Sequence, residues 1–329
     1  MEKILVIGGS GYIGSHTVVE LINSGYVPII LDNFSNSNQN TINGIEKIVK
    51  KEIHFYEDDY RNVGVLDKIM LENKISGVIH FAALKAVGES IEDPLNYYSN
   101  NVSGFIGMIE KMRKHHINNL VFSSSAAVYG SAIGEVNEKT VCHPTSPYGE
   151  TKFMDEIILK DVCNAFDFNG TALRYFNVVG AHPSGLIGEL SKGKPANLLP
   201  IIIHAVNGKT PPLKVFGNDY NTKDGTCLRD YIHVVDLAKA HIAALKRISG
   251  FNVYNIGTGV PSSVLELIKT FEEVNKVKVP YSISNRRAGD PESSYANVYK
   301  ASKDLGWMSA KTIQDSVADA WKWDKSLNK

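Results

Sequence analysis

Tyr148 and Lys152 lie four residues apart in the stretch Ser146-Pro147-Tyr148-Gly149-Glu150-Thr151-Lys152. On a helix this spacing puts both side chains on one face, a turn apart. Pro147, with Ser146 before it, is a signal for a helix start. The chemistry such a pair offers is base catalysis by a phenolate. A free tyrosine has a pKa of about 10, and bringing it to about 7 takes roughly 4 kcal/mol of preference for the ionised form. One ammonium 4 Å away supplies about 1 kcal/mol in water and about 4 kcal/mol when partly buried. The pair therefore works only in a sheltered cleft, helped by a second cation such as an oxidised nicotinamide ring. By spacing alone a surface Tyr–Lys pair is the commoner explanation, so the surrounding elements have to decide.

Elements able to build such a cleft begin at once. Lys3–Ile7 is a continuous apolar run, as expected of a strand buried on both faces. Gly8-Gly9-Ser10-Gly11-Tyr12-Ile13-Gly14 follows, then a helical pattern through Val18, Val19, Leu21 and Ile22 that stops at Gly25. A strand from Val27 to Leu31 ends at Asp32, eighteen residues after Gly14. This is the order of a dinucleotide-binding unit. Gly8, Gly11 and Gly14 let backbone N–H groups approach a pyrophosphate at the helix N-terminus, and Asp32 suits ribose hydroxyls. An acid there repels a 2′-phosphate, which favours NAD over NADP. The alternative is a βαβ unit with a structural glycine turn.

The alternation continues. A loop rich in Asn and Ser covers 33–43, and strands are expected over His54–Glu57, Gly77–His80, Asn119–Ser123 and Gly170–Arg174. Asp58-Asp59 either touches the adenine end of a cofactor or caps a helix expected over Val63–Glu72. Phe81-Ala82-Ala83 lets a ligand come close to the sheet edge. Lys85 just beyond is either in reach of a cofactor ribose or a plain surface lysine. Asn100 and Asn101 fall inside a helix expected over Pro94–Lys114. Adjacent asparagines are poor helix formers, so they have a packing or ligand role, or are simply exposed. Ser124 and Ser125 close the fifth strand. A serine there can bond both a sugar hydroxyl and the Tyr148 oxygen, or the serines are only a polar strand end. Six strands alternating with helices define the fold class: α/β, a doubly wound parallel Rossmann sheet.

After Asn177 the alternation breaks, and Gly, Pro, Lys and Ser fill 181–196, as loops around a substrate site do. Residues 1–177 are read as an NAD-binding domain and 178–329 as a smaller substrate domain, with about 230–256 returning to the main sheet through the strand Phe251–Ile256. The second half also carries helices from Asn197 to Asn207, Val234 to Ile248 and Val264 to Val274, a strand Lys214–Phe216, and a closing helix to Lys325. Arg229 and Arg287 stand apart from basic runs, in a loop or at an element end. Guanidinium forks suit a diphosphate; the other reading is surface salt bridges.

Composition sets the class. The chain has 329 residues, is 43% apolar and has a formal net charge of zero. Those values fit a globular α/β protein and argue against nucleic acid or an anionic membrane as the main partner. Cys142, Cys163 and Cys227 form no pair motif, as in a reducing compartment. With no apolar run of membrane length and no signal peptide before Lys3, a soluble cytoplasmic protein is expected.

The residues above, Gly8-x-x-Gly11-x-x-Gly14, Ser125 and Tyr148-x-x-x-Lys152, resemble those of the extended short-chain dehydrogenase/reductases. Within that family the UDP-hexose 4-epimerase branch is similar over nearly the whole chain. The similarity runs through His80-Phe-Ala-Ala-Leu-Lys-Ala-Val-Gly-Glu-Ser90, Arg174-Tyr-Phe-Asn-Val-Val-Gly-Ala-His-Pro-Ser-Gly185, Phe216-Gly-Asn-Asp-Tyr220, Leu228-Arg-Asp-Tyr-Ile-His-Val234 and Arg286-Arg-x-Gly-Asp290.

The resemblance implies reversible 4-epimerisation of UDP-galactose and UDP-glucose, in galactose metabolism, by a homodimer that holds NAD tightly and needs no metal. Tyr148 would be the base, Lys152 would lower its pKa and hold the ribose, and Ser125 would orient the hydroxyl. The cofactor would touch Tyr12, Ile13, Asp32, Asn33, Ser35, Asp59 and Tyr60 on one side. Phe81, Ala82, Ala83, Lys85, Asn100 and Phe176 would meet it on the other. UDP would lie on Asn177, Asn197, Leu198, Lys214, Phe216, Arg229, Arg287 and Asp290. Two positions depart from relatives. The Asp-Glu pair of the sugar-nucleotide dehydratases is here Ala126-Ala127, which leaves no acid to eliminate water. Ser294, five after Gly289, replaces a gate residue often tyrosine in bacteria. The smaller side chain leaves room for N-acetyl sugars unless Tyr295 fills the space. Two rivals stay open: a UDP-uronic acid epimerase or a reductase on the same fold, and a non-catalytic NAD-sensing module.

Overall fold

The computed structural model describes residues 1–190, 193, 195–287 and 289–327. A parallel seven-stranded sheet forms its centre, in the order Phe251–Ile256, Asn169–Tyr175, Asn119–Ser125, Ile75–His80, Lys3–Ile7, Val27–Asp32, His54–Glu57. The first strand shows why the sheet is buried on both faces. Ile4 and Val6 enter one apolar cluster with Val18, Leu21 and Leu237, while Leu5 and Ile7 enter another with Leu66, Phe105 and Met108. Alternating side chains thus feed two cores, and each fully buried Leu or Ile stabilises by about 1.5–3 kcal/mol. The order reverses between Lys3–Ile7 and Ile75–His80, and ligands of such sheets sit in the crevice at that point.

Parallel register brings the functional ends to one edge: Ile7 faces both Leu31 and His80, and Ser125 faces Tyr175. The seventh strand, Phe251–Ile256, pairs with Asn169–Tyr175 along its whole length. The helix before it, Val234–Lys246, packs against the glycine-loop helix Tyr12–Asn23.

Outside this sheet the chain departs from the sequence reading. Short strands Gly134–Val136, Ser293–Ala296, Leu228–His233 and Pro261–Ser263 form a second sheet, and Asn177–Val179 joins the far end of Leu228–His233. Arg229 is therefore the second residue of a strand, at an element end. Three- and four-residue strands are too short to show alternation, so this sheet left no periodic signal. Leu213–Phe216 pairs with Tyr281–Ser284. The third core, with Leu199, Ile202, Val215, Phe271 and Trp321, lies beneath these elements. Among the described residues no helix is long and apolar enough to cross a membrane.

Candidate active site

The glycine loop has the shape a dinucleotide requires. Gly8 has φ of +80°, and a side chain there would come 2.8 Å from the Ala82 nitrogen. A Cβ at Gly14 would lie 2.1 Å from the Gly8 carbonyl oxygen. A side chain at Gly8 would strike the Phe81–Ala82 backbone, and one at Gly14 would force the helix away from the loop. No side chain caps the helix Tyr12–Asn23, so its first N–H groups are left to an anion. Asp32 Oδ2 accepts from Ser10 N at 2.9 Å, and Oδ1 accepts from Phe34 N and Ser37 Oγ, also at 2.9 Å. The carboxylate is thereby locked at the loop's edge, with lone pairs to spare for ribose hydroxyls.

At the adenine side, neither Asp58 nor Asp59 caps the next helix. Asn62 does, accepting from Gly64 N. Asp59 instead accepts from Asn33 Nδ2 at 3.0 Å and pairs with Arg61 at 2.7 Å. Arg61 holds the Asp59 carboxyl down to about 2.

Across the crevice the Phe81–Lys85 loop is fixed by a residue that similarity did not assign to the site. Asn101 Oδ1 accepts from Leu84 N at 2.9 Å, while its Nδ2 donates to Leu84 O and to Thr151 Oγ1, both at 3.0 Å. Thr151 adjoins Lys152, so one buried amide ties the cofactor loop to the Tyr148 helix. Asn100 donates to Asn101 rather than toward the loop. The helix expected over Pro94–Lys114 widens to a π-turn at Tyr98–Ser103, the distortion found where function displaces regular bonding. Two adjacent asparagines were its sequence signal. Lys85 pairs with Glu189 at 3.7 Å, and Glu189 also accepts from Asn197 Nδ2 at 2.6 Å. Glu189 thus joins a candidate cofactor residue to a candidate substrate residue.

The helix Pro147–Ala165 starts as read, with Ser146 Oγ accepting from Gly149 N at 3.2 Å. The three serines of the fifth strand divide their tasks. Ser123 Oγ bonds Tyr175 Oη, and Ser124 Oγ donates to Glu156 at 2.5 Å. Ser125 Oγ accepts from Ala127 N at 3.2 Å and reaches Tyr148. Lys152 is fully buried; its Nζ donates to Ser123 O at 2.7 Å and lies 4.8 Å above the Phe122 ring. Burial pushes Lys152 down to about 8 and lifts the half-buried Tyr148 hydroxyl above its ordinary value. The contact with Ser125 works the other way.

Glu156 and Arg174 form the floor. The guanidinium donates from Nε and Nη2 to the two carboxylate oxygens at 2.9 and 2.5 Å, and from Nη1 to Tyr129 Oη at 3.0 Å. Tyr129 Oη in turn donates to Asn255 at 2.6 Å.

On the second sheet Arg229 and Ser294 are cross-strand neighbours, and Arg229 Nη2 bonds Asp290 at 3.1 Å. Arg287 lies 4.7 Å above the Phe216 ring. Successive strand residues point to opposite faces, so Tyr295 turns away from the side that Ser294 occupies. A separate cavity of about 220 Å³ beside Tyr12, Gly180, Glu189 and Leu199 contains none of Ser125, Tyr148 and Lys152.

Fold and crevice together define a nucleotide-cofactor enzyme, and the chain belongs to the NAD dependent epimerase/dehydratase family, whose model matches residues 4–257. It is 50% identical to the UDP-glucose 4-epimerase of Dictyostelium discoideum, over 99% of this chain and 96% of that protein. The structure of the UDP-glucose 4-epimerase of Stenotrophomonas maltophila with bound NAD and formylated UDP-arabinopyranose superposes with a TM-score of 0.97 at 42% identity, over 100% and 99% of the two chains. The Bifidobacterium longum enzyme in complex with NAD+ and UDP gives 0.94 at 44% identity, over 98% of each.

Proposed function

We propose that this chain interconverts UDP-galactose and UDP-glucose, with NAD lying between the glycine loop and Phe81–Lys85. When bound, NAD supplies the acceptor and donor of hydride at carbon 4 of the hexose. Tyr148 takes the proton of the 4-hydroxyl and returns it after the 4-keto sugar has turned over. Ser125 orients that hydroxyl. Lys152 holds positive charge beneath the phenol. Asn177, Asn197, Leu198, Lys214, Phe216, Arg229, Arg287 and Asp290 grip UDP, so the sugar can turn while its handle stays fixed. Ala126 and Ala127 bring no acid to the site, which favours epimerisation over loss of water.

The observation that carries the reading is the convergence of Ser125, Tyr148 and Lys152 at the sheet edge beside the switch point. Arg229 lies on a strand of the second sheet and Arg287 in a loop, not on the main sheet. The proposal extends to a homodimer in the cytoplasm, serving galactose metabolism. It divides the chain into a cofactor part, 1–177, and a substrate part, 178–329. It also includes UDP-N-acetylhexosamines as substrates, because Ser294 is small and Tyr295 faces away.

Incubation with UDP-galactose should yield UDP-glucose with no net change in the reduced-nicotinamide band. Tyr148→Phe should keep NAD and UDP binding and lower kcat by about 10²–10⁴-fold. Normal turnover by that variant would falsify the assignment of the base.

A further inference from the structure

The helical segment behind the cofactor loop grips that loop twice. Phe81 N and Ala82 N still bond Ile7 O, and the chain then leaves the sheet until the short helix Val87–Glu92 begins. Its backbone groups need other partners along the way. Asn101 answers both the N–H and the C=O of Leu84. Tyr97, four residues before Asn101, does the same for Ala86. Its Oη accepts from Ala86 N at 3.0 Å and lies 2.9 Å from Ala86 O. Glu89 Oε2 is 3.1 Å from the same hydroxyl, so the phenol proton has two acceptors to choose from. Tyr97 is fully buried; burial and then Glu89 raise its hydroxyl, which therefore keeps its proton.

A neighbouring strand would hold the loop in this way. In a paired extended chain, alternate residues turn their N–H and C=O groups to the same side. Ala86 is itself extended, with φ of −80° and ψ of 111°. Leu84 and Ala86 are thus held from the helical segment, and Lys85 is the residue fixed between them. Its side chain leads across the crevice, where Nζ reaches Glu189 at 3.7 Å. Burial raises the hydroxyl of Tyr12 in the glycine loop, and the nearby charge of Glu189 adds to that rise. The Lys85 ammonium is thereby delivered toward the glycine-loop side. The lysine side chain is half exposed and rich in rotamers, so the place where its charge acts depends on how firmly its root is held.

We propose that Tyr97 is a positioning residue: with Asn101 it fixes the backbone on both sides of Lys85 and so presents the lysine ammonium to the bound cofactor. This rests on the epimerase reading of the site, in which Lys85 meets NAD. Tyr97 acts through Lys85. Loss of its hydroxyl should shorten the stay of the cofactor, and only while Lys85 is there to be presented.

The test follows exchange of bound NAD for labelled NAD on the holoenzyme, with turnover of UDP-galactose read separately. An inert wild type overturns the epimerase reading, whereas the exchange rates decide the role of Tyr97, so the two failures are distinguished. Lys85→Ala should speed exchange by about tenfold or more, and Tyr97→Phe by about tenfold. The double variant should exchange no faster than Lys85→Ala alone. A hydroxyl that merely stabilised the fold would speed exchange by the same factor in both backgrounds, and that result overturns the proposal. So does a Tyr97→Phe protein that exchanges at the wild-type rate. If Tyr97→Phe does not fold, Tyr97→Met is read in the same way, because it too lacks the hydroxyl and is flexible enough to fill the space of the ring.

Discussion

The floor of the catalytic cleft and the nucleotide side of the molecule both rely on an arginine paired with an acid, but in opposite settings. Arg174 and Glu156 have side chains 6% and 4% exposed, with both carboxylate oxygens engaged. Arg229 and Asp290 are 14% and 29% exposed and share one contact. The buried pair is hydrogen-bonded on every side and holds the Tyr148 helix to the sixth strand. The second pair shares a single 3.1 Å contact, and under the proposed function its guanidinium would leave Asp290 for a diphosphate. Asn197 on Glu189 and Arg287 over Phe216 would give way to ligand in the same manner. Under the proposed function, one side of the site would be preorganised for chemistry, while the other would hold its ligand groups in pairs that binding can exchange.

If that contrast is right, equivalent substitutions should have different consequences. Glu156→Leu strands a buried guanidinium and should cost about 3–5 kcal/mol of stability by denaturant unfolding. A loss below about 1 kcal/mol would mean that the floor is as adaptable as the nucleotide side. Arg229→Lys should change stability by less than about 1 kcal/mol, because half-open pairs contribute little. It should raise the KM for UDP-galactose about tenfold and leave kcat within about threefold, since the fork meets the diphosphate in ground and transition states alike. A large fall in kcat with KM unchanged would place Arg229 in the chemistry instead.

The same contrast explains what the sequence could reveal. Lys3–Ile7, Val27–Asp32 and the glycine loop were legible because a strand buried on both faces and a tight turn each demand particular residue types in sequence. Ser146 as a cap and Tyr148 with Lys152 on one helix face followed from local spacing. The strand Phe251–Ile256 was readable as returning to the main sheet, although its neighbour there was not. The floor was hidden: Glu156, Arg174, Tyr129 and Asn255 are brought together from four distant places by the sheet register. Asn101 showed itself as a poor helix former, yet only the fold reveals that it reaches both Leu84 and Thr151. The Val63 helix is capped by Asn62, the residue directly before its first turn, rather than by Asp58 or Asp59. Arg229 was placed in a loop or at an element end, and it stands second in the strand Leu228–His233, whose partners in the sheet are mostly too short to leave a pattern.

The smallest effect expected is also the most selective. Ser294 lies beside Arg229 on the adjacent strand, while Tyr295 faces the other way. Filling the Ser294 side with a large ring should therefore alter which sugar fits without touching the gripping residues or the floor. Ser294→Tyr should leave kcat/KM for UDP-galactose within about threefold and reduce that for UDP-N-acetylgalactosamine by about tenfold or more. The sign follows from excluded volume: the acetamido group is the only part of the larger substrate that needs the space, and overpacking a rigid pocket costs about 1–3 kcal/mol. If both substrates lose equally, the ring has disturbed Arg229 and the nucleotide grip rather than the sugar pocket. If neither changes, Ser294 does not border the sugar, and the discrimination resides on the catalytic side, where preorganisation rather than exchange would govern it.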